Sequence, residues 1–205
     1  MRIWSRNWIR AAADPVVLLW AQDAPAPGVM SDPPHREDEL ATQSQMHRKN
    51  QILSDLVETR QKILAATSGL SDAQREQVFL GIWSVKDLLA HLAGWDRTNL
   101  DAAKSVLVGE LPSFYQYRDR DWQTYNATLV KEYKKDSFKE LLAEVTAAQE
   151  QLIEFLQSIP PEQFNKDFGV RFRGYKVTIQ RLLDAEWKDE QTHLQQLVDF
   201  MQESR

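Results

Sequence analysis

The chain has 205 residues, of which 42% are hydrophobic and 27% charged, a composition typical of a globular domain with a sizeable core. It contains no cysteine, which excludes disulfides, thiolate metal sites and a cysteine nucleophile and fits the reducing conditions of the cytoplasm, where we expect the protein to act. The formal net charge of −5 argues against general nucleic-acid binding.

The N-terminal extension, residues 1–45, differs from the rest of the chain. Arginines precede a short apolar run at residues 16–20, but an Asp-Pro pair interrupts it, so the run is too short for a signal peptide or a membrane span. Residues 21–45 are rich in proline and polar side chains, which predicts a poorly ordered tail. We therefore expect one domain over residues 46–205. Three methionines are candidate start codons: Met1, Met30 and Met46.

The first helix of the domain follows Met46, where the apolar residues begin to recur with a helical period. It is expected to run for about 20 residues and to end near Ser68 and Gly69, since glycine commonly follows a helix end. Arg60 interrupts its apolar stripe. The side chain of Arg60 either packs along its stem while the charged end reaches solvent, or its guanidinium faces an interior acid.

The second helix begins at a capping box. Ser84 is followed three residues later by Asp87, and each side chain can bond the backbone N–H of the other. The apolar stripe then continues at three- and four-residue spacing to Trp95, and the helix is expected to end near Val108. His91 shares an edge of this stripe, so it is either a hydrogen-bonded core residue or a ligand.

The segment from 109 to 135 is rich in aromatic residues and is interrupted by Pro112, with a helix expected over residues 121–133. It is either a crossover packed over one end of a bundle or the wall of a pocket for a small organic ligand. Its aromatic members are Phe114, Tyr115, Tyr117, Trp122, Tyr125 and Tyr133.

Two further helices complete the pattern. A capping box at Ser137 and Glu140 begins the third helix, which two consecutive prolines stop. Residues 161–176 are expected to form a loop with a brief extended stretch, and the fourth helix is expected over residues 177–203. Because no strand signal is strong enough to build a sheet, the four long amphipathic helices predict an all-α four-helix bundle.

The fourth helix carries acids on its core face. Glu186, Glu190 and His193 fall inside the apolar stripe, and Asp189 lies at its edge. Buried acids are costly unless they are paired, protonated or bound to a metal. Asp189 and His193 are one turn apart, and Glu190 and His193 form a Glu-x-x-His pair as in metal-binding bundles. Two explanations stay open: an interior pair of Arg60 with a glutamate beside surface acids, or a metal site.

The second and fourth helices resemble those of a known family. Residues 83–95 resemble the W-S-x-x-D/E-L-L-x-H-L-x-x-W signature of the DinB-like four-helix proteins, and residues 178–197 resemble their last helix. The resemblance extends over residues 46–203, and residues 122–126 and 137–140 are most similar to the ClbS/DfsB family. It implies an up-down-down-up bundle with an aromatic-rich crossover between helices 2 and 3.

The resemblance also implies a metal site. In DinB-like proteins a divalent metal is held by one histidine of the second helix and by both histidines of an H-x-x-x-H on the fourth. Position by position, the implied ligands are His91, Asp189 and His193, with Asp189 in place of the first histidine of the pair. Carboxylates occur there in relatives such as the mycothiol-dependent isomerases. Two histidines and one carboxylate suit Zn, Ni or Fe, with Glu190 and Glu186 as reserve ligands.

Finally, the resemblance implies classes of function. Some DinB-like proteins transfer a low-molecular-weight thiol, and the ClbS branch resembles a self-resistance protein that hydrolyses an electrophilic cyclopropane. We expect a metal-dependent hydrolase or detoxification protein acting on a small electrophilic molecule, with water activated by the metal or with Asp189, Glu190 or Glu186 as base. The alternatives are a thiol transferase and a metal-free bundle that binds or sequesters a small molecule. We expect no nucleic-acid or membrane partner, and a homodimer formed through exposed helix faces.

Overall fold

Four long helices form the frame of the protein. The computed structural model describes residues 34–117 and 122–203. The long helices are α1 (Pro34–Ser68), α3 (Val85–Leu107), α5 (Phe138–Ser158) and α7 (Ile179–Glu203). The shorter elements are α2 (Asp72–Glu76), β1 (Val78–Leu80), β2 (Trp83–Ser84), a 3₁₀ turn (Ser113–Gln116), α4 (Trp122–Tyr133), α6 (Pro161–Phe164), β3 (Arg171–Phe172) and β4 (Tyr175–Lys176).

The start of α3 confirms its predicted capping box, whereas α5 forms only the serine half of the one predicted for it. The Ser84 backbone N–H donates to Asp87 Oδ2 at 2.9 Å, and the Asp87 N–H donates to Ser84 Oγ at 3.3 Å, so the capping box of α3 is complete. Ser137 Oγ accepts the backbone N–H of Glu140 at 3.1 Å at the start of α5. Each serine thereby satisfies one of the N–H groups that a helix start leaves unpaired.

Helix α1 begins earlier than the apolar pattern predicts. It starts at Pro34, and proline fits a first helical position because its missing N–H would be unpaired there. Side chains from 38 to 48 are exposed, which explains why they carry no apolar period. Residues 1–33 lie outside the described residues. The domain boundary at residue 46 and the poor order of residues 1–45 therefore stay predictions.

The direction of α3 relative to α5 follows from contacts near each end. Lys86, at the start of α3, donates to the Asp136 carbonyl just before α5. Arg97, later on α3, pairs with Glu144, later on α5, at 3.2 Å. Contacts that advance together along both helices mean that α3 and α5 run parallel.

Helix α7 runs parallel to α1 and antiparallel to α3. Asn99 of α3 bonds Glu186 of α7, whereas His91, earlier on α3, lies beside His193, later on α7. Two ion pairs align α1 with α7: Arg48–Asp184 and Arg60–Glu190. The bundle is therefore all-α with up-down-down-up topology, as expected, and α4 lies in the crossover between α3 and α5.

The core divides into two apolar clusters with a polar layer between them. Along α1, Leu56 belongs to one cluster and Ile63 to the other, and Arg60 lies between the two. Along α7, Leu183 belongs to the same cluster as Leu56, and Leu197 belongs to the same cluster as Ile63. Both clusters exclude water, so the polar side chains of this layer must satisfy one another.

The strands are two short antiparallel pairs, β1 with β2 and β3 with β4. The β1–β2 hairpin leads directly into α3 and places Trp83 beside the polar layer. Within residues 34–117 and 122–203, no helix combines the length and the apolar character that crossing a bilayer requires.

Candidate metal centre

His91 lies on the buried face of α3, with 1% of its surface exposed. Trp83 packs on its ring at a centroid distance of 4.8 Å, and Trp95, one turn later on α3, lies at 6.3 Å. Both ring nitrogens of His91 are buried and have no hydrogen-bond partner among the described residues. Because buried polar atoms are nearly always paired, we expect a bound ligand to contact at least one of these nitrogens.

Asp189 and His193 occupy successive turns of α7 and face His91. Asp189 Oδ2 lies 3.2 Å from Nε2 of His193 and 3.6 Å from Nε2 of His91. Gln196 Oε1, an amide oxygen that accepts, lies 2.9 Å from Nδ1 of His193, so Nδ1 carries a proton and Nε2 is the ring nitrogen that faces Asp189. The Asp189 side chain is 18% exposed, so the group reaches solvent through this carboxylate.

The spacing of these three side chains fits one metal ion. Their ligand atoms all lie within 4.8 Å of one another. Two ligands held at about 2.0–2.2 Å in a tetrahedral site lie about 3.4 Å apart. The separations of 3.2 and 3.6 Å from Asp189 are close to that value. The structure thus brings together the three residues that the family resemblance implies, and their role as ligands stays a prediction.

The electrostatics of the centre suit a cation. Burial lowers the pKa of His91 to about 4, so this ring is neutral at pH 7 and its lone pair is available. Burial alone would raise the pKa of Asp189, but His193 and His91 beside it hold that pKa below its usual range. Burial alone would lower the pKa of His193, and Asp189 raises it instead. A divalent ion between these side chains would compete with a proton for Nε2 of His193.

Arg60 joins three helices beside this centre. Its guanidinium is fully buried and bonds both oxygens of Asp96 on α3, at 2.7 and 3.1 Å. It also bonds both oxygens of Glu190 on α7, at 2.7 and 3.2 Å. The interior pair of Arg60 with a glutamate is therefore present beside the candidate metal ligands, so the first explanation holds for Arg60 and the metal site stays a prediction.

Glu186 completes a second group of buried acids, which we call the acid cluster: Asp96, Glu186 and Glu190. Asn99 donates to Glu186 Oε2 at 2.8 Å. Burial raises the pKa of Glu186 well above its usual value, and the nearby Glu190, Asp189 and Asp96 raise it further. Burial and these neighbouring carboxylates both favour the protonated form of Glu186. The assignment of Glu186 and Glu190 as catalytic residues stays a prediction.

Asp96 and Asn99 are the members of the polar layer that the sequence interpretation missed. Both are buried and follow Leu92 at four and seven residues, so they continue the core stripe of α3. In the sequence both are polar residues at positions where the helical period predicts an apolar one, as are the acids on α7. The family signature at residues 83–95 includes His91 but ends just before Asp96.

The crossover aromatics pack mainly against one another and against α3. Trp95 contacts Phe114, Trp122 and Tyr125 at centroid distances of 5.6, 6.0 and 5.5 Å. Trp95 Nε1 donates to Asn126 Oδ1 at 3.0 Å, which fixes α4 on α3. A cavity of about 450 Å³ lies elsewhere, between α1 and α6. These contacts favour the packed crossover over the pocket wall.

This arrangement is a helical bundle in which two histidines and a carboxylate from facing helices could hold one metal ion. The family model of the DinB superfamily matches residues 55–197, and the chain belongs to that superfamily. The crystal structure of an uncharacterised protein from Escherichia coli UTI89 has a similar fold, with a TM-score of 0.60 and 16% identity, over 76% of this chain and 94% of that one. No curated protein sequence matches the chain.

Proposed function

We propose that this DinB-superfamily protein is a metal-dependent hydrolase that acts on a small electrophilic molecule, in the manner expected of the ClbS/DfsB family. The observation that supports the proposal is the convergence of His91, Asp189 and His193 from two helices around one point, with the nitrogens of His91 unpartnered among the described residues. Zn, Ni and Fe are the ions that this donor set suits.

Each residue of the centre has a distinct task. His91 and His193 would hold the ion from opposite helices, and Trp83 packed on His91 limits rotation of that ring. Asp189 is the charged and partly exposed member, so a substrate approaches from its side. A divalent ion bound there would act as a Lewis acid and activate water for attack on the electrophile. Detoxification or self-resistance would be the physiological outcome.

The test counts product molecules per protein chain. Metal-free protein is loaded with Zn, Ni or Fe and offered a panel of epoxides, activated cyclopropanes and activated esters, with and without a low-molecular-weight thiol. We expect more than one turnover, lost on chelation and lost in His91→Ala and His193→Ala. A matched control is Gln195→Ala, an exposed position of α7 whose side chain bonds Asp199 rather than the centre.

Other outcomes would assign one of the alternatives. Turnover that requires the thiol would identify a thiol transferase. Protection that saturates at one electrophile per chain, unaffected by chelator, would identify a sequestering bundle. Light scattering of the same samples tests the proposed homodimer. The expected partners stay limited to a small organic molecule and a second copy of the chain.

A further inference from the structure

The acid cluster is held by a cation that belongs to the protein itself. Arg60 donates to both oxygens of Asp96 and to both oxygens of Glu190, and its side chain is 0% exposed. A guanidinium stays protonated under all ordinary conditions, and its planar fork matches two carboxylates at once. Arg60 therefore supplies a permanent positive charge between α3 and α7.

Without Arg60, the acid cluster would have the composition of a second metal site. One carboxylate oxygen from each of Asp96, Glu186 and Glu190 lies within 4.8 Å of the others, the same limit that the group around His91 meets. Glu190 and His193 form the Glu-x-x-His pair that two-metal carboxylate bundles use to serve both ions from one helix. The polar layer thus has acids enough for two divalent ions.

We propose that Arg60 takes the place of a second metal ion, so that the centre accepts one ion and Glu190 is kept out of its coordination. This inference rests on the proposed function, because it assumes that His91, Asp189 and His193 bind metal. Arg60 is then a positioning residue. It fixes Asp96, five residues after His91, and Glu190, three residues before His193, and so sets the separation of the ligand-bearing helices.

The experiment measures the number of ions bound per chain by equilibrium dialysis and elemental analysis. Three metal-free proteins are compared: the wild type, Arg60→Met, and a triple variant that combines Arg60→Met with Asp96→Asn and Glu190→Gln. Each is titrated with Zn²⁺ and, separately, with Mn²⁺, an ion that favours carboxylate ligands. We expect one ion in the wild type and two in Arg60→Met. The triple variant, whose acid cluster has lost two of its charges, should return to one ion.

The outcomes separate this inference from the proposed function. A wild type that binds no ion overturns both. A wild type with one ion and a folded Arg60→Met with one ion overturns the inference alone, as does a second ion that persists in the triple variant. If Arg60→Met is unfolded without metal, it is refolded with increasing Zn²⁺ or Mn²⁺. Recovery of the helical circular dichroism at two equivalents supports the inference, and failure to recover at any ratio contradicts it.

Discussion

The indole of Trp83 lies over the imidazole of His91, with ring centroids 4.8 Å apart and planes inclined by 49°. Trp83 belongs to β2 and precedes Ser84, the N-cap of α3, so the same short segment starts the helix and covers the candidate ligand. The hairpin thus supports the candidate metal centre by packing on His91.

This contact predicts an optical signal for metal binding. Titration of the metal-free protein with Ni²⁺ should quench tryptophan fluorescence, because Trp83 and Trp95 both lie close to the ring of His91. Trp83→Phe should lose most of the amplitude while keeping the binding stoichiometry. The matched control is Trp122→Phe, which lies in the crossover beyond Trp95. Equal amplitudes in both variants would show that the ion binds elsewhere.

The carboxylate at position 189 gives a second prediction. Asp189→Ala should weaken metal binding by more than the roughly 10–100-fold typical of losing a side chain that only supports a ligand. Asp189→His should retain binding, because its partly exposed position can accept an imidazole and a histidine is an equivalent donor. Asp184→Ala, which removes a peripheral carboxylate paired with Arg48, is the control. An unchanged dissociation constant in Asp189→Ala would exclude Asp189 as a ligand.

The glycine in the middle of α3 predicts a packing defect. A Cβ at Gly94 would lie 2.7 Å from Cβ of Leu129 on α4, an atom fixed to the backbone. Overpacking costs about 1–3 kcal/mol and the gain in helix propensity is about 1 kcal/mol, so Gly94→Ala should lower the free energy of unfolding by up to about 2 kcal/mol. Urea denaturation measures this difference.

The control for that variant is Gly69→Ala. The nearest atom to a Cβ there is the Ala66 carbonyl oxygen at 3.7 Å, an ordinary contact. Gly69→Ala should leave the free energy of unfolding unchanged or raise it by about 0.4–1 kcal/mol, because alanine lowers the conformational entropy of the unfolded chain. A destabilisation equal to that of Gly94→Ala would mean that contact with α4 is not the cause.

Sequence periodicity located the long helices because each buries a continuous stripe. It failed for the first part of α1, where side chains from 38 to 48 are exposed and helix formation leaves no apolar period. It indicated a buried ion pair between Arg60 and a glutamate of α7, because these residues interrupt the apolar stripes of their helices. It could not pair α3 with α7, because contacts between distant helices have no local signal, and the placement of His91 beside Asp189 came from the family resemblance.

The exposed start of α1 gives a prediction about truncation. A chain that begins at Met46 should melt within about 2–4 °C of the full chain, the shift equivalent to roughly 1 kcal/mol in a domain of this size. The reason is that the described side chains from 38 to 48 bury little surface. A second chain that begins at Pro34 separates the helical part of the extension from residues 1–33. A larger loss for either chain, measured by differential scanning calorimetry, would place the missing residues inside the domain.

The ligands of the candidate centre come from α3 and from α7, the last helix of the described chain. During synthesis Arg60, Asp96 and His91 emerge long before their partners, so a nascent chain carries these side chains in water without Glu190 and His193. Docking of α7 completes the charge pairing of the layer and the ligand set in one step. Metal capture should therefore be a late event of folding, and a chain released before Ile179, where α7 begins, should neither bind the ion nor hide Arg60 from solvent.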